Sequence, residues 1–234
     1  MNFEEYSLYI EEGRLFSMKE TFQTIYEGGV GEYVMKKSRF IATVCPVETE
    51  EAASEVIDSL KKKYWNATHN CSAFILGTEN PVMRCSDDGE PSQTAGRPML
   101  DVLINHELTN LVVVVTRYFG GTLLGTGGLV KAYQTSTIEG LNNSKIITKE
   151  LGVKVSVTTD YNMIGKIQHH VVQDQITTLS SEYTDIVKLI LLIPPSRIST
   201  FINKAAELTN GSALIEELDS VYFASFDGEV HIFQ

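Results

Sequence analysis

Five glycines lie within nine residues, Gly120 to Gly128, in the stretch "RYFGGTLLGTGGLVKAY" between an apolar run and a helix-like run. Glycines at such a turn let the backbone approach a ligand closely. The first amides of a helix have no intrahelical acceptor, and the helix dipole favours an anion beside them. The candidate anion-binding residues are Arg117, Gly120, Gly121, Thr122, Gly125, Thr126, Gly127, Gly128 and Lys131.

The glycine spacing matches no standard nucleotide-binding motif. The order GxGxxG is absent, and no Gly-Lys-Ser/Thr sequence follows the glycines, so neither a dinucleotide fingerprint nor a P-loop is present. A purely structural interpretation also stays open, in which the glycines only permit positive φ angles and close packing of helix on sheet. In that case a loop carbonyl or the Thr126 hydroxyl would cap the helix.

A second polar stretch, "CSDDGEPSQTAGRP", places three carboxylates within four residues. Adjacent carboxylates can hold Mg²⁺ or act in acid–base chemistry, although the spacing fits neither an EF-hand nor an HExxH site. The alternative is a solvated acidic turn in which a carboxylate pairs with an arginine. We expect this loop to fold onto the glycine stretch, with Asp87 or Asp88 beside Arg117. The candidate residues of this loop are Asp87, Asp88, Glu90, Thr94 and Arg97.

The histidines and cysteines give weaker indications. His69 and Cys71 occupy alternate positions of a predicted strand and so share one face of it. A Cys–His nucleophilic pair also needs a lowered thiol pKa, and a packed strand explains the two residues equally. The three cysteines form no CxxC pair, which favours reduced thiols over a disulfide framework or a zinc site.

The overall charge limits the classes of partner. The net charge of −11 divides into −4 over residues 1–31, −3 over residues 32–143 and −4 over residues 144–234. A protein that coats duplex nucleic acid needs a surplus of lysine and arginine, so long duplex partners are disfavoured while a small local site is not. The N-terminus is acidic and no apolar run is long enough for a membrane span, which predicts a cytoplasmic protein without a membrane partner.

Hydrophobic periodicity predicts two domains. Residues 1–20 lack a clear period and are expected to be a leader or an irregular segment. Residues 21–143 form the first domain, and residues 146–234 form a second domain with the order βαββαβ, which is ferredoxin-like. The elements predicted for the first domain are a strand over 32–47, a helix over 49–64, a strand ending at Gly77, an irregular loop from Thr78 to Pro98, a short helix, a buried strand over 111–119 and a helix over 127–143.

Two motifs together carry a family resemblance. "SDDGEPSQTAGRPML" and "VVVVTRYFGGTLLGTGGLVKAY", with "KKSRF" and "HNC" upstream, resemble the paired motifs of the IMPACT/YigZ family. The resemblance implies an α+β protein: an N-terminal ribosomal-protein-like domain with a left-handed βαβ unit, then a ferredoxin-like C-terminal domain. One departure is Gln93, where the family pattern usually has glycine, and its larger side chain is expected to narrow whatever the loop lines.

The resemblance also implies a role near translation, because eukaryotic relatives regulate the general-control response. The bacterial-type pattern seen here lacks their RWD domain, so competition for the same partner is not expected. We therefore predict a non-enzymatic regulator that binds RNA, a ribosome or a translation factor through the glycine stretch and the acidic loop, with no cofactor and with the second domain as a further contact.

Two alternatives remain at this point. One is an Mg²⁺-dependent enzyme acting on a phosphate ester or nucleotide, with Asp87, Asp88 and Glu90 on the metal and Arg117, Lys131 and helix amides on the phosphate. The other is a protein–protein interaction module that uses these residues only structurally. The lack of a matched nucleophile and base favours binding over catalysis.

Overall fold

The computed structural model describes residues 6–11 and 14–233, with side chains described from Met18 onward. The chain divides into two units, Phe22–Thr148 and a second unit of Met1–Thr21 with Lys149–Gln234. The protein is a mixed α+β chain with one sheet-based domain in each unit. Among the described residues, no helix is long and apolar enough to cross a membrane.

Two strands lie in the N-terminal segment, where an irregular segment was predicted over residues 1–20. Strands β1 (Tyr6–Glu11) and β2 (Arg14–Lys19) pair with each other in antiparallel register. The prediction of irregular structure is therefore wrong for these residues. Strand β3 (Thr21–Glu27) follows and buries Phe22, Thr24 and Ile25.

The first domain has a five-stranded sheet in the order β4-β5-β8-β6-β7, in which every neighbouring pair is antiparallel. Strands β5 and β6 both run antiparallel to β8, so they are parallel to each other and are joined by α1 as a βαβ unit. The left-handedness of that unit stays a prediction. The elements are β4 (Val30–Met35), β5 (Ser38–Pro46), α1 (Glu50–Lys63), β6 (His69–Leu76), β7 (Val82–Ser86), α2 (Gly96–Asn105), β8 (Leu111–Tyr118) and α3 (Gly125–Asn142).

Helices cover both faces of this sheet. Val112 and Val114 of β8 pack in one cluster with residues of α1, while Val113 and Val115 pack in another with residues of α2 and α3. Strands that are buried on both faces read as unbroken β-branched runs, because neither face contacts water. The prediction of a strand at "LVVVVTRYF" that is buried on both faces is confirmed.

Two predicted boundaries in this domain are wrong. The single strand predicted over residues 32–47 is a hairpin, because Lys36 and Lys37 turn the chain with φ angles of 47° and 67°. The loop predicted from Thr78 to Pro98 contains strand β7 and the start of α2. Pro98 is the third residue of α2, where its missing amide proton breaks no intrahelical hydrogen bond.

The second domain has a sheet in the order β10-β11-β9-β12-β13, again antiparallel throughout. The predicted βαββαβ order is confirmed, and its four strands lie in the ferredoxin-like order. A short strand beyond the predicted ones, β13, pairs with β12. The elements are β9 (Lys145–Thr159), α4 (Ile164–Gln173), β10 (Thr177–Tyr183), β11 (Val187–Ile193), α5 (Ile198–Leu208) after a 3-10 turn at Pro195–Arg197, β12 (Leu214–Phe226) and β13 (Glu229–Phe233).

Candidate functional site

A pocket of about 450 Å³ opens in the first domain where β8 ends and α3 begins. Its wall combines one carboxylate, one guanidinium and one imidazole with several apolar side chains. The lining residues are Thr68, His69, Gly89, Glu90, Pro91, Arg117, Phe119, Leu123, Leu124, Gly125, Thr126 and Leu129. Of the residues predicted from sequence, the pocket brings together Glu90, Arg117, Gly125 and Thr126.

A buried ion pair forms the polar wall of this pocket. Arg117 Nη1 donates to Glu90 Oε1 at 2.5 Å, and the two side chains are 7% and 3% exposed. The buried Tyr133 hydroxyl donates to the same carboxylate oxygen at 2.8 Å, and burial raises the pKa of Tyr133. Arg117 Nε has no hydrogen-bond partner within the part of the chain that the structure describes. The guanidinium of this pocket-lining residue therefore keeps one buried donor without a partner.

Glu90, rather than Asp87 or Asp88, is the partner of Arg117, so the prediction named the right loop and the wrong residue. Asp88 has a φ of 43° and Gly89 a φ of 87°. These two left-handed residues turn the chain sharply between the aspartates and Glu90. The turn sends Glu90 into the pocket wall while Asp87 and Asp88 point to other partners.

Asp87 closes the acidic loop onto helix α2. Its carboxylate accepts the backbone amides of Gln93, Ala95 and Gly96 at 2.8 to 3.0 Å. No side chain of the Ala95 cap position bonds to the helix start, so the Asp87 carboxylate fills that role. All the hydrogen bonds of this carboxylate run to the protein's own backbone, which makes Asp87 a structural residue.

Asp88 fastens the same loop to β6 and α1. Its Oδ2 accepts the Asn70 amide at 2.7 Å, and its Oδ1 lies 2.8 Å from Lys61 Nζ. Its backbone carbonyl lies 2.8 Å from His69 Nδ1. A carbonyl only accepts, so Nδ1 carries the proton and the Nε2 of a neutral His69 is an acceptor. That Nε2 lies 3.8 Å from Glu90 Oε2.

The remaining acidic-loop residues make local contacts. The Thr94 hydroxyl donates to the Pro91 carbonyl, and Arg97 pairs with Asp101 within α2. Within residues 6–11 and 14–233 no group of three or more His, Cys, Asp or Glu side chains converges as a metal site. The carboxylates of Asp87, Asp88 and Glu90 each serve a different partner, so the predicted Mg²⁺ set is not assembled.

Cys71 lies behind the pocket rather than in it. Its Sγ lies 3.0 Å from the Asp87 carbonyl oxygen and 3.3 Å from the Tyr133 hydroxyl oxygen, either of which can accept its single proton, and the residue is fully buried. Burial raises the pKa of the Cys71 thiol to about 12. The thiol is therefore protonated at neutral pH, which argues against a Cys71–His69 nucleophilic pair.

The start of α3 differs from the start of α1. Thr49 caps α1 by accepting the Ala52 amide at 3.1 Å, whereas no side chain caps α3. The turn, loop and cap hydrogen bonds that the structure describes include none donated by the amides of Gly125, Thr126, Gly127 or Gly128. The caps that a closed corner would require, the Thr126 hydroxyl or a loop carbonyl, are not formed there. The amides are thus available to an anion.

The glycines divide into two groups. A Cβ on Gly120 would overlap the Lys37 backbone, so Gly120 is required for packing, and Gly121 has a φ of 83°. Gly127 faces open space, with no heavy atom within 4 Å of an added Cβ. A Cβ added at Gly128 would lie 3.1 Å from Leu124 Cβ and 4.0 Å from Met35 Cε. The first pair makes the corner, and the second pair leaves the helix start open.

Six residues of the glycine stretch and α3 that were predicted to bind an anion do not line the pocket: Gly120, Gly121, Thr122, Gly127, Gly128 and Lys131. The sequence prediction missed the apolar wall, because it searched for donors only. Phe119 and Leu123 lie inside the quoted glycine stretch, and exposed apolar residues beside glycines were the available signal. Gln93 is exposed, has a φ of 62° and lies outside the pocket lining, so it does not narrow the pocket.

The face of the second-domain sheet that lies away from the helices is mixed in character, and part of it, including Ser156, is buried. Val155, Val157, Leu189 and Leu191 pack on the helix side, so the intervening residues of β9 and β11 face away. One cross-strand row there consists of Ile190, Ser156 and Glu216. Lys154 on that face pairs with Asp219. The face is neither a basic and aromatic platform nor a row of acids.

Family models match both domains. Residues 36–141 match the Impact N-terminal domain, and residues 157–212 match a domain of unknown function, DUF1949. IMPACT family member YvyE of Bacillus subtilis is 40% identical over 205 residues, covering 88% of this chain and 94% of its own. IMPACT family member YigZ of Escherichia coli is 33% identical over 180 residues, covering 76% and 88%.

A solved structure shares this fold. A crystal structure of a hypothetical protein is similar with a TM-score of 0.56 and 30% identity, covering 86% of this chain and 99% of that chain. The family matches span both the glycine stretch and the acidic loop, and the relatives are covered over most of their length. With its two motifs, its two sheet-based domains and these matches, the chain belongs to the IMPACT family.

Proposed function

We propose that this protein is a regulator linked to translation that binds a phosphate-bearing partner at the Arg117 pocket. The observation that carries the proposal is the uncapped start of α3 beside a guanidinium with a free donor. Arg117 Nε lacks a partner among the described residues, and its side chain is more than nine-tenths buried. A helix N-terminus with an adjacent buried guanidinium favours a phosphate or carboxylate over any neutral group.

The link to translation rests on the family resemblance. The partner is RNA, a ribosome or a translation factor, each of which presents phosphate or carboxylate groups. The acidic loop holds Arg117 in position through Glu90, and it does not present free carboxylates as a contact surface. The second domain supplies a further contact in this proposal.

The local chemistry supports binding over catalysis. Glu90 is held by Arg117 and Tyr133, His69 Nδ1 is committed to a carbonyl, and the Cys71 thiol has a raised pKa of about 12. A general base needs a free acceptor within hydrogen-bond reach of a nucleophile. His69 Nε2 is an acceptor that remains in the pocket, but no hydroxyl or thiol of the described residues hydrogen-bonds to it. The unused donors, the first amides of α3 and Arg117 Nε, favour an anion.

The test is co-sedimentation of the protein with purified ribosomes through a sucrose cushion. Thr126→Pro removes one amide donor at a first-turn position, where proline is tolerated and the preceding Gly125 has no Cβ to clash. Gly127→Ala is the matched control, because it keeps every amide and its methyl group enters open space. We expect Thr126→Pro to weaken binding by about 1.5–3 kcal/mol, the scale of a charge-assisted hydrogen bond, and Gly127→Ala to bind like the parent.

Equal binding by the folded Thr126→Pro variant and the parent would remove the helix start from the proposal. RNase treatment of the ribosomes separates the partners. Loss of binding after treatment identifies RNA, and retained binding identifies a protein component. No binding by the parent protein to intact ribosomes, together with no capture of a translation factor from the ribosome-free supernatant, would contradict the proposed function.

A further inference from the structure

We propose that the pocket takes one unstacked nucleotide of single-stranded RNA, with its phosphate at the start of α3 and its base against Phe119 and Leu123. A neighbouring phosphate lies at the Lys36–Lys37 turn. This inference rests on the proposed function and specifies the partner of the same site.

The apolar wall supports a base rather than a bare anion. Phe119 is 47% exposed and Leu123 is 82% exposed, and both line the pocket with the less exposed Leu124 and Leu129. The Phe119 ring lies 5.7 Å from Arg117 Cζ, so an aromatic face and a guanidinium line the same pocket. Phosphate alone would leave this wall in water, whereas a nucleobase would cover it by stacking.

The depth of the polar groups selects single strands. Arg117 is more than nine-tenths buried, and a pocket of about 450 Å³ is in the size range of small-molecule sites. Phosphates of a duplex lie on a convex surface with their bases stacked inside, so a duplex cannot place a base against Phe119. A single strand can present its phosphate and an unstacked base to a concave site together.

The β4–β5 turn supplies a second phosphate contact. This turn packs directly on the glycine stretch: the Lys37 backbone would overlap a Cβ on Gly120, and the Gly120 amide donates to Ser38 Oγ at 3.0 Å. Lys36 and Lys37 are exposed, and neither has an ion-pair partner in the described chain.

Two other basic residues of the domain are already paired, since Arg39 binds Glu32 and Lys61 binds Asp88. In a chain of net charge −11, unpaired lysines beside an open helix start are a local exception. Their position suits the phosphate that follows or precedes the bound nucleotide, because successive phosphates of a strand are within reach of neighbouring backbone turns.

The experiment is fluorescence anisotropy with a labelled single-stranded oligouridylate of about eight nucleotides, a length within the range that single-strand binders cover. A duplex of the same length is the comparison, and inorganic pyrophosphate is the competitor. We expect the single strand to bind at least roughly tenfold more tightly than the duplex, because only the single strand can stack a base in the pocket.

The base contact is tested at Phe119. Phe119→Ala is expected to weaken oligouridylate binding by roughly tenfold, the effect of losing one stacking platform, while leaving pyrophosphate competition unchanged. Phe119→Tyr keeps an aromatic face and is expected to bind like the parent. Thermal melts of both variants confirm that they are folded.

The phosphate contact is tested by the salt dependence of binding. Lys37→Gln removes one charge at the turn, and Lys145→Gln removes one charge beyond the opposite end of α3 as the matched control. We expect Lys37→Gln to reduce the slope of log affinity against log salt by about 0.7, and Lys145→Gln to leave it unchanged.

The outcomes separate this inference from the proposed function. If pyrophosphate binds, but the protein binds duplex and single strand with equal affinity or Phe119→Ala has no effect on RNA binding, the anion site stands and the proposed nucleotide site is wrong. No binding of pyrophosphate or RNA at the pocket would overturn both. Single-strand preference that is lost in Phe119→Ala and kept in Phe119→Tyr would support the inference.

Discussion

The acidic loop and the start of α3 are both rich in polar groups, but they differ in how many of those groups hydrogen-bond within the protein. Asp87 accepts three backbone amides, Asp88 holds Asn70 and Lys61, and Glu90 holds Arg117 and Tyr133. The α3 start has no side-chain cap, and Gly127 faces open space. One region satisfies its hydrogen-bonding groups internally, and the other leaves donors unused.

This difference shows which polar residues are available to a partner. Buried polar groups are normally paired, so a dense cluster of carboxylates is as compatible with architecture as with chemistry. Ligand capacity lies where donors remain after internal pairing. In this domain those donors are the α3 amides and Arg117 Nε, and the acidic loop holds the guanidinium in place for them.

The strongest test of the acidic loop as architecture is removal of its cationic partner. Arg117→Ala leaves the Glu90 carboxylate buried and uncompensated, so we expect a loss of about 3–5 kcal/mol in the free energy of unfolding, measured by urea denaturation. Glu90→Gln in the same chain removes the buried charge and should recover part of that loss. A loss below about 1 kcal/mol for Arg117→Ala would show that the pair is solvated and that the comparison is wrong.

The buried pair also limits what the Arg117→Ala variant can show about ligand binding. The sequence predicted Asp87 or Asp88 beside Arg117, and the structure gives this arginine the buried Glu90 carboxylate instead. A change in binding after Arg117→Ala would therefore mix loss of a contact with loss of stability.

Asp87 and Asp88 sharpen the comparison within the loop. Asp87→Ala leaves three backbone amides without their acceptor, and we expect it to lower the free energy of unfolding by about 2–3 kcal/mol. Asp88→Ala removes a partly exposed pair and one amide contact, and should cost about 1 kcal/mol. Urea denaturation of the two variants checks the order. Equal costs, or a larger cost for Asp88→Ala, would contradict the role of Asp87 as the clamp on α2.

The smallest expected effect is at Gln93. Its φ of 62° is costly for a residue with a Cβ, and glycine adopts it without strain. Gln93→Gly is expected to raise the free energy of unfolding by about 0.5–1 kcal/mol. Ser92 has no positive φ, so Ser92→Gly should lower the free energy of unfolding by a similar amount. Thermal melts compare the two. Destabilisation by Gln93→Gly would mean that its side chain makes a contact that matters.

Sequence patterns predicted the parts of this fold that depend on short-range physics. The valine run of β8 identified a strand buried on both faces, and the acidic and basic ends of α1 placed that helix within one residue at each end. The βαββαβ order of the second domain followed from its strand-like and helix-like runs together with the helix start at Pro194–Pro195 and the helix stop at Asn210–Gly211. In each case the pattern repeats over several residues.

The features that the sequence did not predict depend on the conformation of single turns. The hairpin at Lys36–Lys37 uses two left-handed lysines in place of the usual glycine or asparagine, so no turn motif marks it. The choice of Glu90 over Asp87 depends on two consecutive left-handed residues. Asp88–Gly89 is a common turn sequence, but it predicts only the turn and not which carboxylate then faces Arg117.

The candidate site was predicted in part for the same reason. The glycine stretch indicated an open helix start, and the structure leaves its first turn uncapped. Predicting from sequence which glycines pack and which remain open would require knowing that the β4–β5 turn lies against Gly120. The sequence shows Phe119 and Leu123 beside the glycines, but that they form one wall of a pocket follows only from how α3 meets the end of β8.

The central claim is that the start of α3 and Arg117 form an anion site, and amide chemical shifts measured during a pyrophosphate titration test it most directly. We predict saturable shifts of the Thr126, Gly127 and Gly128 amides and of the Arg117 Nε–H, because these donors lack internal partners. The Ala52 amide, which Thr49 caps at the start of α1, should not shift. Unchanged α3 and Arg117 signals, or equal shifts at Ala52, would contradict the account.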